Sequence, residues 1–135
     1  MVRIAPSILS GNFLNLEPDI RMVNKNADLI HIDVMDGSFV PNISFGFPVV
    51  EAIAKAVTVP MDVHLMIVNP DKYVERFAKT GAEMISFHLE AADQAGKDPR
   101  DIIAQIKSFG VKAGLVINPD LSLIHISEPT RLRCI

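Results

Sequence analysis

Cysteine is almost missing from this chain. The only thiol, Cys134, is the next-to-last residue, so no disulfide framework is expected and a reducing cytoplasm fits. An excess of positive charge is missing too. The formal net charge of −3 counts against nucleic acid or an anionic membrane as partner. No apolar run approaches the roughly 20 residues of a membrane-spanning helix. Residues 1–7 lack the apolar core and cleavage site of a secretory signal, so none is expected. What is present is a sequence of 135 residues, 49% hydrophobic and 21% charged, enough for one domain around one core.

Short apolar runs alternate with helical patterns along the chain. Residues 3–9 predict a first strand, with Pro6 tolerable near its start or at an edge. Phe13, Leu14, Leu16, Ile20 and Val23 recur at helical spacing. Residues 29–35 predict a second strand, in which Ile30, Ile32 and Val34 favour a buried pleated surface and Gly37 permits the turn that follows. Residues 35–46 form a loop long enough to suggest function. Residues 48–56 predict a helix with Pro48 in its first turn, and residues 61–66 a third strand. Asn69-Pro70-Asp71 reads as N-cap, first-turn proline and first-turn acid of a helix that runs to Lys79 and closes at Gly81. Residues 84–89 predict a fourth strand, residues 92–97 a polar link, residues 99–109 a helix stopped by Gly110, and residues 111–117 a fifth strand. Strands repeat at βα-unit spacing, which predicts a parallel sheet with helices outside, either a barrel or an open doubly wound sheet.

Side chains alternate along a strand, so His31, Asp33 and Met35 share one face, as do Asp62, His64 and Met66. An ionised carboxylate on a buried face needs compensation, from a metal ion or a polar substrate. Two imidazoles and a carboxylate on neighbouring strands suit zinc, iron, manganese or cobalt. His31, His64 and His88 all fall near the ends of predicted strands, where βα folds build their active sites. Plainer readings stand beside these. A strand histidine is often a satisfied core residue, and Met35 and Met66 are ordinary core fillers. Asp62 reads equally as a buried acceptor, His88 as a structural group or one that backs a ligand, and Ser7 as a turn hydroxyl.

Three stretches then carry a resemblance: Ala5-Pro6-Ser7-Ile8-Leu9, the run from His31-Ile32-Asp33-Val34-Met35-Asp36-Gly37 through Ser38-Phe39-Val40-Pro41-Asn42, and Asp62-Val63-His64-Leu65-Met66. In this order they resemble the ribulose-phosphate 3-epimerase family, over residues 2–119. The resemblance implies an α/β fold of the (β/α)8 TIM-barrel type, here truncated after about the fifth strand. It implies an enzyme that inverts carbon 3 of ribulose 5-phosphate to give xylulose 5-phosphate, in the pentose phosphate pathway, by proton abstraction through a metal-stabilised enediolate. His31, Asp33 and His64 would be ligands of one divalent ion. Asp33 would also be an acid/base, Ser7 and His64 would touch substrate, and Met35 and Met66 would line the pocket. A full-length member would form a homo-oligomer in the cytoplasm.

The family's second carboxylate lies in an Asp-Gly-Gly motif, and its phosphate is held by Gly-rich loops; neither occurs in this sequence. Barrels of this type need roughly 200 residues or more. The expectation is therefore a partial ribulose-phosphate-binding barrel over residues 1–120 and a non-native, adapter-like tail over residues 121–135, with little or no activity alone. Two alternatives remain: a 3-epimerase of a six-carbon ketose phosphate such as allulose 6-phosphate, and a non-catalytic half-barrel prone to association. A decarboxylase-type lyase would carry Asp-x-Lys-x-x-Asp on the third strand, where this chain has Asp62-Val63-His64-Leu65-Met66-Ile67.

Overall fold

Alternation along the strands decides which way the sheet faces. In β1 (Ile30–Met35) and β2 (Met61–Met66), every other residue is buried, and Ile30, Ile32, Val63 and Leu65 are fully shielded. β3 (Ala82–His88) buries Ile85 and Phe87 on the same side, and β4 (Lys112–Val116) follows. A computed structural model, which describes residues 2–119, arranges these strands in the order β1-β2-β3-β4, each parallel to the next. Parallel neighbours require a crossover, and helices supply each one. The result is the α/β winding of a TIM-barrel-type sheet in which chain order equals spatial order.

The helices earn their boundaries locally. α1 (Glu17–Asn26) starts at Glu17-Pro18 with acids in its first turn and Lys25 in its last, which suits the helix dipole. α2 (Phe47–Ala56) also begins beside a proline, and α3 (Val74–Lys79) buries Val74 and Phe77. α5 (Pro99–Ser108) has Asp98 as its N-cap, accepting from the Arg100 N–H at 2.8 Å, and turns Ile102 and Ile106 to the sheet. Ile20, Val23, Val50, Ile53, Phe77, Ile102 and Ile106 meet the aliphatic face of the strands in one core.

Four expectations need correction. Residues 3–9 do not form a strand. They lie along β1, with Pro6 and Ile4 carbonyls accepting from His31 and Leu29, but the ladder is a single Ser7–His31 bridge. Pro6 has no N–H to give back, and the Ser7 hydroxyl accepts from Leu9 N–H to start a 3-10 turn over Ile8–Ser10. The first helix begins at Glu17 rather than Phe13, because Asn12 closes a turn by accepting the Leu14 N–H on its side chain and the Asn15 N–H on its carbonyl. Asn69 is left-handed (φ 51°) and its side chain caps nothing; Pro70–Lys72 form a 3-10 turn before α3. Part of the expected polar link is α4 (Leu89–Gln94), held by the fully buried Ala91 and Ala92. The tail expected from residue 121 onward lies outside the described residues.

Phe87 is fully buried and its register partners are Leu65 and Leu115. Phe87→Ala should cost about 3–5 kcal/mol in a urea-unfolding experiment, the range for truncating a core phenylalanine.

Candidate metal centre

The register of β1 on β2 sets His31 opposite Asp62 and Asp33 opposite His64. A His-x-Asp pair therefore faces an Asp-x-His pair, on the sheet face away from the helices. His31 Nδ1 lies 3.0 Å from Asp62 Oδ2, and its Nε2 lies 3.1 Å from Asp33 Oδ1. His64 Nδ1 reaches the same Asp33 oxygen at 3.3 Å. The other Asp33 oxygen, Oδ2, accepts from the Ser7 hydroxyl at 2.5 Å. One donor atom from each of His31, Asp33 and His64 falls within 4.8 Å of the others, close enough for one ion to touch all three.

The chemistry of this set fits a divalent cation. Two imidazoles and a carboxylate suit zinc or a neighbouring transition metal. Asp62 stands where it can accept from His31 Nδ1–H, which would leave Nε2 for a metal ion, the arrangement in which a carboxylate orients a ligating histidine. That bond is the main reason the His31 pKa is raised, whereas burial is the main cause that lowers it at His64 and His88. His31 is the second residue of β1, and Asp33 and His64 are mid-strand, so only His88 ends its strand as the sequence suggested. The donors sit on the sheet's floor because each strand continues past them. Met35 and Met66 are register partners one step beyond Asp33 and His64. Met35 also lines an apolar cavity of about 290 Å³ with Ile43, Phe45, Phe47, Tyr73 and Phe77; none of the three donors borders it.

The long loop after β1 is tied down over this site. Ser44 Oγ donates to the Asp33 carbonyl at 2.7 Å and accepts from Met35 N–H at 2.9 Å. Asp36 Oδ1 accepts from Ser38 and Phe39 N–H groups, and Oδ2 accepts from Val68 N–H, each at 2.8 Å. Gly37 is left-handed (φ +74°), and a Cβ there would meet Ile43 at 2.7 Å, so the turn requires glycine. Phe39 is thereby held 4.9 Å, centroid to centroid, from His88. Asp62, expected only as a possible buried acceptor, faces His31; Asp36, Ser44 and Glu90 carried no individual role in the sequence. Asp62 was signalled by the mirrored Asp-x-His; Ser44 and Glu90 acquire their partners only through the tertiary contacts.

A parallel βα sheet with an imidazole–carboxylate–imidazole set on its open face defines a piece of a βα-barrel enzyme. Comparison with known proteins narrows the class. The ribulose-phosphate 3-epimerase family matches residues 3–130. The chain is 51% identical over 120 residues to a ribulose-phosphate 3-epimerase of Bacillus subtilis, covering 88% of this chain and 54% of that protein. It is 50% identical over 121 residues to one from Synechocystis (89% and 52%), and 43% identical over 129 residues to one from Aquifex aeolicus (95% and 56%). The chain belongs to the ribulose-phosphate 3-epimerase family, a family of isomerases, and spans about half the length of these curated relatives. Among the described residues, no helix is long and apolar enough to cross a membrane.

Burial would raise the Asp36 pKa, but the backbone N–H groups of Phe39, Val68 and Ser38 together hold it below the usual carboxylate value. A lowered folded pKa contributes stability above the unfolded value that is lost as pH falls through the folded one. Asp36→Asn should therefore be destabilised by about 1 kcal/mol near pH 7, and the gap should shrink as pH falls below about 4 and through the lowered folded value. Thermal unfolding followed across that range checks it.

Proposed function

We propose that this chain carries half of the active site of a ribulose 5-phosphate 3-epimerase, with one divalent metal ion held by His31, Asp33 and His64. The observation that carries the reading is the convergence of both imidazoles on a single oxygen of Asp33. When bound, the ion would act as a Lewis acid that stabilises negative charge on the sugar's oxygens.

The remaining work falls to side chains. A hydrogen beside a ketone is weakly acidic, and Asp33 is the base that takes the carbon 3 proton on one face of the sugar. Ser7 holds the second Asp33 oxygen and so fixes the carboxylate plane. Ser7 and His64 contact the substrate, and Met35 and Met66 form apolar wall beside it. Inversion then requires an acid on the opposite face to return a proton to carbon 3. The sequence has no Asp-Gly-Gly to supply it and no Gly-rich phosphate loop. Membership of the family supports a sugar phosphate as partner rather than nucleic acid or membrane, with full-length chains assembling as homo-oligomers in the cytoplasm.

The outer edge of β4 favours a second behaviour for the 135-residue chain by itself. Among the described residues, Lys112–Val116 pair with β3 alone, and an open strand edge invites association.

Two measurements test these readings. Cobalt(II) titrated into the metal-stripped chain should bind at one equivalent, and Asp33→Asn should weaken binding at least about 10-fold; equal binding by the variant would remove Asp33 from the ligand set. In a coupled assay with ribulose 5-phosphate, the chain should turn over at least about 10²-fold more slowly than a full-length relative, since one acid/base group is missing. Turnover at the relative's rate would overturn the half-site reading.

A further inference from the structure

The nitrogens on the far side of His64 point to a role for β3 and α4. His64 Nε2 lies 3.0 Å from His88 Nε2, and the two rings stack at 5.0 Å with an interplanar angle of 18°. Two ring nitrogens at that distance can bond only if one carries the hydrogen and the other offers a lone pair. His88 Nδ1 in turn faces Glu90 Oε2 at 3.6 Å. Both of these atoms are buried and have no hydrogen-bond partner. The other Glu90 oxygen accepts from Asn118 N–H, just past β4, at 2.6 Å. His88 is 6% exposed, so water does not provide an easy substitute partner.

A metal ion on His64 Nδ1 would fix the hydrogens of this row. His64 would then carry its hydrogen on Nε2 and donate it to His88 Nε2. His88 would keep its own hydrogen on Nδ1, which faces Glu90 Oε2 at 3.6 Å, a carboxylate that the backbone after β4 holds in place. We propose that His88 and Glu90 are positioning residues that lock His64 in the tautomer whose Nδ1 is free to bind the metal ion. The role mirrors that of Asp62 toward His31, but here a second imidazole stands between the carboxylate and the ligand. It ties the segment after β4 to the metal centre through Glu90 and His88. Phe39, anchored from Asp36, packs against the His88 ring.

The inference rests on the metal reading above, and the test separates the two. Cobalt(II) affinity and absorption spectrum are measured for the unaltered chain, His88→Leu, His88→Gln and Glu90→Gln, with metal-free thermal unfolding as a control. His88→Leu removes the acceptor and should weaken binding about 10- to 100-fold. His88→Gln, whose amide oxygen can accept from His64 Nε2–H, should recover most of that loss even where both variants unfold at the same temperature. Glu90→Gln keeps the shape and should weaken binding a few-fold while nitrogen-15 NMR shows His64 shifting toward the Nδ1–H tautomer. Should His88→Leu fail to fold, Glu90→Gln carries the test alone. Unchanged affinity and tautomer in Glu90→Gln, or equal affinity of the Leu and Gln variants, would overturn the relay while leaving the metal site standing. Absence of binding by the unaltered chain would overturn the metal site, and the relay with it.

Discussion

Asp33 Oδ1 is the point on which the site depends. His31 Nε2 and His64 Nδ1 both approach this one oxygen, from the same strand and from the neighbouring strand. That convergence exists because β1 and β2 pair in a register that sets Asp33 beside His64. A slip of one residue would turn His64 into the helical layer and Val63 or Leu65 onto the open face. Burial excludes such a slip: Ile30, Ile32, Val34, Val63 and Leu65 all reach the core in this alignment and would lose it on a shift by one residue. The hydrophobic side of the sheet thus specifies the geometry of its polar side.

Around that oxygen, each charged or polar group is held by something outside the donor set. Asp62 holds His31, Ser7 holds Asp33, and His88 faces His64. The groups come from the segment before α1, from β2 and from β3, so the site draws on almost the whole described chain. Its support is uneven. Asp33 and His31 are braced by hydroxyl and carboxylate contacts of 2.5 and 3.0 Å, whereas the row behind His64 ends in a 3.6 Å gap between His88 and Glu90. Polar rows of this kind are stiff when every member is bonded and costly when one is not.

The long loop after β1 is shaped by its backbone. Residues 35–46 read in sequence as a loop long enough to suggest function, and in the structure Asp36 gathers three backbone N–H groups there while Gly37 accepts no side chain. These are backbone requirements. They act by holding Phe39 over His88 and joining the β1 and β2 exits.

The sequence by itself determined the βα order, the alternation that segregates Ile and Val from His and Asp, and the His31, Asp33 and His64 set, because strand periodicity is a local property that side-chain type reveals. It could also be read for the family, through the run from His31 to Asn42. The tertiary structure alone decided that residues 3–9 lie beside β1 without becoming a strand, because Pro6 and the Ser7 hydroxyl compete with the ladder. It alone joined Asp62 to His31, and it alone set His64 against His88. Those pairings depend on strand register and on where a short helix begins, and both are set by packing between residues some two to three dozen positions apart, which no local pattern encodes.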